Sequence, residues 1–370
     1  MKKVGLISYH FWYNYGTVLQ SYALWKAISN LGYDSEYIDF KWHWNNQKNQ
    51  KRSLKLKFKR FLTDPFKHIQ KRELQLLNLA MNEFDLFAKK YIPTSNNSFT
   101  ANDLINFPPE YSRYIVGSDQ TWNPLYLKEI DLSIFLLSFV KENTKKFSYA
   151  PSIGTLQIDE STMCVYKREL VKFNKISCRE KDCCEFLSKN ISKDVVHVLD
   201  PTFLLNEKQW EEIEVPFKMD GPYILCYILG SKNCISDYAE LLGKEKRLPV
   251  YYIATSRQYL KKKNKLIGVG PSHFVNLIKN AEFVVTDSFH GTALSINFKK
   301  KFYSFSKREG NIHSSDNRRI FGLLEEFSLE NRFKNDDDTR FEDDIDYSPV
   351  CYKLNDRLDS SYRYLKSIIE

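Results

Sequence analysis

The 370-residue chain exceeds the size at which one hydrophobic core usually stops growing, so two domains are expected. Its 42% hydrophobic and 27% charged residues are ordinary for a globular protein, and 23 Tyr and 26 Phe exclude long disordered stretches. The net charge of +9 is local, because eleven Lys or Arg stand between Lys41 and Arg72 against the single acid Asp64.

The N-terminal Met1–Ser8 has a basic start but an apolar run too short for a signal peptide. No window reaches the roughly 18 apolar residues of a membrane span, so a cytoplasmic location is expected. Seven cysteines, an odd number without a C-x-x-C pair, read as reduced packing thiols and not as a metal site.

Val4–Ser8 predicts a strand, and Leu19, Tyr22, Ala23, Ile28 and Leu31 a helix ending before Gly32. A second strand over Ser35–Phe40 completes a βαβ unit. In the basic segment Trp42, Trp44 and Phe58 interleave with the charges, and Leu54, Leu56, Phe58, Phe61 and Leu62 follow a loosely helical spacing. An anionic membrane, a diphosphate-bearing lipid carrier and a nucleic acid all suit it, and so does a plain solvated helix. Further on, Glu73–Tyr91 reads as a helix stopped before Pro93, with strands at Tyr114–Gly117, Lys146–Ala150, Lys175–Cys178 and Val195–Leu199.

After a linker near 206–221, alternation resumes with strands at Tyr223–Ile228, Val250–Ile253, Phe283–Thr286 and Phe302–Phe305. Helices are predicted around Ile235–Leu242, His273–Asn280 and Gly291–Asn297, the acidic run to Asp346 as a surface loop, and Leu354–Ile369 as a terminal helix. The expected fold is α/β, two Rossmann-like domains facing a cleft. Residues 1–205 form the first, with the basic insertion 41–72; residues 206–353 form the second; and 354–370 is a helix available to pack back on the first.

Ligands of open α/β sheets sit beyond the carboxyl ends of the strands, and polar motifs cluster there. Asp287-Ser288-Phe289-His290-Gly291-Thr292 follows a strand and precedes a helix predicted to start near Ala293, where helix-start amides and an imidazole suit an anion. In the first half, Asn14-Tyr15-Gly16-Thr17-Val18-Leu19-Gln20 and Gly117-Ser118-Asp119-Gln120-Thr121-Trp122-Asn123 offer hydrogen-bonding partners for sugar hydroxyls, with Trp122 able to stack on a ring. Arg179 ends another strand, and Arg308, His313, Arg318 and Arg319 crowd a later polar loop. Each motif alone is equally consistent with capped turns and surface ion pairs.

Together with Tyr149-Ala150-Pro151-Ser152-Ile153-Gly154, Ser177-Cys178-Arg179-Glu180 and Asp200-Pro201-Thr202, these motifs in this order resemble the polysaccharide pyruvyl transferase family. The resemblance implies a fold similar to the GT-B glycosyltransferases and transfer of pyruvate from phosphoenolpyruvate to a sugar as a ketal, with no cofactor beyond that co-substrate. It places His290 and Arg179 at family positions associated with the donor, and the mechanism expected on that reading has His290 as acid with Asp119 or Asp287 as base. Arg179, Ser288, His290, Gly291, Thr292, Arg308, Arg318 and Arg319 would face the donor. Asn14, Tyr15, Gln20, Ser118, Asp119, Gln120, Trp122 and Asn123 would face the acceptor. Many family members carry an Arg where Ser288 stands, so Arg308, Arg318 or Arg319 must replace that charge. The expected acceptor is a saccharide, lipid-linked and galactose-containing, met at the inner membrane face during cell-surface or capsular polysaccharide synthesis. A nucleotide-sugar glycosyltransferase on the same fold and a nucleic-acid-binding protein using the basic segment are the rival readings.

Overall fold

Strand β1 (Val4–Ile7) is buried at every position, the pattern of a central parallel strand covered on both faces. In the computed structural model, which describes residues 3–41, 67–127, 129–307, 315–342 and 344–370, β1 lies between β2 (Ser35–Phe40) and β4 (Arg113–Val116). With β3 (Thr94–Phe99) and β5 (Lys145–Ser148) they form a parallel sheet of order β3-β2-β1-β4-β5. Most of the basic segment, and Arg308 and His313, lie outside the described residues.

A short parallel pair, β6 (Ile176–Cys178) and β7 (Val195–His197), follows β5 and touches it through a Phe147–Lys175 bridge. The second sheet takes β8 (Ile224–Tyr227), β9 (Val250–Ile253), β10 (Lys265–Leu266), β11 (Phe283–Thr286), β12 (Lys301–Phe305) and β13 (Phe333–Lys334) in the order β10-β9-β8-β11-β12-β13. Both sheets therefore wind outward in two directions from a central strand. Each has a topological switch point, between β1 and β4 in the first and between β8 and β11 in the second, where adjacent loops diverge and leave a crevice.

Helix α1 (Tyr15–Asn30) starts at Asn14, whose side chain accepts the Thr17 amide. Its Tyr15 stacks on Phe274 of α2 (Pro271–Asn280) at 4.4 Å, and the Tyr15 hydroxyl donates to the Val269 carbonyl. One apolar cluster consequently runs through both sheets, from Val4 and Leu19 to Phe274, Phe289 and Ile369. The terminal helix α3 (Tyr347–Ile369) crosses back to the first sheet. Its Tyr364 donates to Ser148 O, its Ser361 accepts the Leu199 amide, and Arg113 donates to its Ile368 carbonyl.

The helix after β11 corrects one expectation. It spans Phe289–Asn297, not a segment starting near Ala293, because the Ser288 hydroxyl accepts the Gly291 amide and so caps the chain four residues earlier. His290 thus sits in the first helical turn. No helix among the described residues is long and apolar enough to cross a membrane.

Candidate active site

The two switch points face each other, and the residues following β4, β6, β7 and β11 meet between them. At the centre is Asp200, fully buried and bound on every side. Its Oδ1 accepts the Thr202 amide (3.0 Å) and hydroxyl (2.7 Å), while its Oδ2 accepts Ser118 Oγ and Arg179 Nη1, each at 2.9 Å. Four donors saturate a carboxylate. His290 Nε2 lies 3.6 Å from the same Oδ2, an electrostatic contact longer than a hydrogen bond.

Arg179 is held further by Glu180 Oε1 at 3.1 Å and by the Phe289 ring, whose centre is 4.0 Å from its guanidinium carbon. Its Nη2, like His290 Nε2, is buried without a hydrogen-bond partner. Burial works against the charges of both Arg179 and Asp200, but mutual attraction wins. Glu180 and Asp200 hold Arg179 firmly protonated, while His290 and Arg179 draw the Asp200 carboxyl far below the usual range.

Asp119 occupies the left-handed region at φ 75°, fixed by bonds from Ser152 N to its carbonyl and from Thr17 Oγ1 to its Oδ2 at 2.7 Å. Burial raises its carboxyl, but the charges of His290 and Arg179 and the Thr17 hydroxyl outweigh this and keep it below its ordinary value. Gly16, beside Thr17, packs on the imidazole so closely that a Cβ there would fall 2.0 Å from His290 Nδ1.

Two chambers adjoin this cluster. The larger, of about 760 Å³, is bordered by Arg179, Glu180, Asp182, His197, Asp200, Arg318 and Arg319 among others. The smaller, of about 370 Å³, is bordered by Asn14, Thr17, Asp119 and Gln120 from the first domain and by Asp287, Ser288, His290 and Lys307 from the second. Phe289 and Arg319 border both.

Of the expected residues, His290, Asp119, Asp287, Ser288, Arg319, Asn14 and Gln120 thus reach the smaller chamber, whereas Arg179 and Arg318 face the larger. Arg318 pairs with Asp182, and Arg319 borders the chamber that Ser288 also lines. Asp287 lines the chamber, but its two oxygens accept the Leu229 and Gly230 amides at 2.7 Å, and burial pushes its carboxyl up. It therefore shapes the loop after β8 more directly than it serves as a base.

Several expectations fail on geometry. Trp122 is fully buried with its indole donating to Phe135 O, so it cannot stack on a sugar. Tyr15 and Gln20 are spent inside, Tyr15 on Phe274 and Val269, and Gln20 on Ser8 and the Thr17 carbonyl. Ser118 holds Asp200, and Asn123 braces Gln120 at 2.6 Å. Gly291 lies against Thr286 of β11, and Thr292 bonds Ser304, so neither borders the two chambers.

Sequence reasoning passed over Asp200, Thr17 and Lys307 as site residues. Asp200 carried a signal, an acid before proline at a strand end, and Thr17 stands one helical turn after Asn14. Among the described residues no three His, Cys, Asp or Glu side chains gather as metal ligands.

This is a two-domain α/β architecture with an anion-ready cluster at facing switch points. The same fold recurs in UDP-GlcNAc 2-epimerase from Methanocaldococcus jannaschii (TM-score 0.54, 10% identity, covering 100% of this chain and 99% of that one). It recurs also in Arabidopsis thaliana UGT89C1 complexed with UDP-L-rhamnose (TM-score 0.50, 11% identity, 100% and 98% covered), and the expected GT-B-like fold holds. No curated protein matches the chain. The family model described as Polysaccharide pyruvyl transferase matches residues 14–307, and the chain belongs to that family of transferases.

Proposed function

We propose that the chain transfers a pyruvyl group from phosphoenolpyruvate to two hydroxyls of a saccharide, forming a cyclic ketal during polysaccharide synthesis. The observation that carries this reading is a buried guanidinium nitrogen without an acceptor. Asp200 is saturated, yet Arg179 Nη2 lacks one, as does His290 Nε2 when it carries a proton, while Glu180 Oε2 beside them is buried without a donor. An anionic co-substrate supplies acceptors, and leaving such groups unmade is costly.

In this reading Arg179 and Arg319 hold the donor's phosphate and carboxylate, and His290 protonates the methylene carbon. The carbon bearing phosphate becomes electrophilic, and one acceptor hydroxyl adds there as Asp119 takes its proton. Phosphate then leaves with the C–O electron pair, and the second hydroxyl closes the ketal. Of the two hydroxyl protons, one restores the imidazolium and the other departs on hydrogenphosphate. Asp119 suits the base because it is held ionised, reaches the chamber and is fixed by Thr17.

The test is phosphate release from phosphoenolpyruvate with a panel of lipid-linked and synthetic β-galactosides, the product mass reporting the ketal. Release by His290→Ala at the parent rate would remove His290 from the role of acid. Stabilisation against heat by a nucleotide sugar and not by phosphoenolpyruvate would favour a glycosyltransferase instead. The basic segment, by its charge, would dock the enzyme on the anionic inner membrane face where lipid-linked saccharides are extended. Reversing four of its lysines to glutamate should then weaken binding to anionic vesicles, and unchanged binding would sink that part.

A further inference from the structure

With Trp122 buried, the acceptor side of the smaller chamber needs another apolar contact, and the structure offers one. Tyr9 and Trp12, from the loop after β1, and Tyr126, from the loop after β4, border the chamber beside Asn14, Asp119 and Gln120. Tyr9 is buried and acts as a support. Its ring meets Trp12 edge-on at 6.0 Å, and its hydroxyl donates to the Gln120 carbonyl at 3.1 Å. Trp12 is 40% exposed and Tyr126 46% exposed. The turn presenting Tyr126 is set by Asn123, whose carbonyl accepts the Tyr126 amide and whose side chain accepts the Leu125 amide.

Two large, part-exposed rings bordering a cavity, next to two amides and a carboxylate, match what a sugar ring requires. Its C–H face packs on aromatic surface, and its hydroxyls bond to amide and carboxylate groups. We propose that Trp12 and Tyr126 form the stacking platform for the acceptor pyranose, with Asn14 and Gln120 reading its hydroxyls. They are specificity-determining residues for the pyruvyl-transfer reading, on which this inference rests.

A nucleotide base would also stack on such rings. Its phosphates, however, would need cations on the same wall, and that wall supplies Asn14, Gln120 and the anionic Asp119. The chamber's cations, Lys307 and Arg319, come from the opposite domain. The platform also places a stacked ring on Asp119's side of the chamber, so a hydroxyl of that ring can meet the base as the donor approaches from the His290 side.

The experiment uses the full chain, fluorescently labelled, on a printed array of bacterial and synthetic saccharides, with Trp12→Ala, Tyr126→Ala and Trp12→Phe beside the parent. The parent should retain a defined set of saccharides. Each alanine variant should lose about tenfold in signal on that set, equivalent to about 1.4 kcal/mol, while Trp12→Phe stays within roughly threefold of the parent. Because both side chains are partly exposed, melting temperatures should agree, and phosphoenolpyruvate should raise them equally in parent and variants, which a merely structural role would not preserve. A parent that retains no saccharide, or alanine variants that bind as the parent does, overturn the platform. So does capture of UDP by the parent that is lost in Trp12→Ala, because it would assign the rings to a base. If saccharides bind as expected but phosphoenolpyruvate stabilises nothing, the platform stands and the pyruvyl reading fails.

Discussion

Gly16→Ala sets two physical effects against each other, and their signs differ. Gly16 is the second residue of α1, where alanine is favoured over glycine by up to about 1 kcal/mol from backbone entropy alone. The added Cβ, however, would fall 2.0 Å from His290 Nδ1 and 2.2 Å from its Cγ. Ordinary contact is about 3.5 Å, so the imidazole must retreat by roughly 1.5 Å or the two domains must part. His290 lies against the well-packed Phe289 and Arg179 layer, and overpacking of this kind costs about 1–3 kcal/mol. A displacement of about 1 Å at a reacting group also costs on the order of a hundredfold in rate. The clash wins on both counts. The variant should be about 1–2 kcal/mol less stable in urea and about a hundredfold slower in phosphate release. Gly322→Ala is the control, because its Cβ would meet nothing within 4 Å in a helix and should show the propensity gain alone. A Gly16→Ala protein as stable as Gly322→Ala and turning over at the parent rate would refute the contact.

Asp119→Asn should keep stability within about 1 kcal/mol, because Asn tolerates the left-handed backbone and still accepts from Thr17, yet lose about a hundredfold or more in turnover. Equal turnover in the two proteins would exclude Asp119 as base. Asp200→Ala strands the buried Arg179 guanidinium and should cost about 3–5 kcal/mol in denaturant unfolding, and a loss below about 1 kcal/mol would mean that Glu180 alone suffices for the charge. Burial depresses His10 from 6.5 to about 4, so between those values the unfolded chain binds a proton that the folded chain refuses. Stability from this group is complete above pH 6.5 and falls by roughly 3 kcal/mol on acidification to pH 4, and His10→Phe should flatten that part of the pH–stability curve. Asp200 and Asp119 act in a more acidic window, contributing above the unfolded carboxylate pKa and losing that contribution as pH falls through their depressed folded values.

The fold was legible where burial and period agree. Strands such as Val250–Ile253 and Phe283–Thr286 are continuous apolar runs, and both stand where sequence reading placed them. Strand β3, Thr-Ser-Asn-Asn-Ser-Phe, escaped because an exposed edge strand needs no apolar pattern, and its pairing with β2 is purely tertiary. Within the site, His290 and Asp119 were legible as polar residues beyond strand ends, whereas Arg318 and Arg319, read as part of a polar loop, stand in a helix over Ser315–Glu326. What the sequence could not show is direction. Trp122 and Trp12 are both tryptophans in loops after first-domain strands, yet one donates its indole into the core and the other opens on the chamber. A motif specifies neighbours along the chain, whereas the rotamer that turns a ring inward is fixed by Phe135 and Phe173, far from the motif's reach.

Burial within the cluster bears on how an anion would bind. Arg179 Nη2 and His290 Nε2 are buried although each residue borders a chamber, and Gly16 of the first domain packs against the His290 ring of the second. If an anion engages both atoms as proposed, the two side chains must turn toward it, because both atoms are covered in the arrangement described. An anion that accepts from both would remove the cost of burying them without a partner, so anion binding should stabilise the fold, read as a rise in melting temperature.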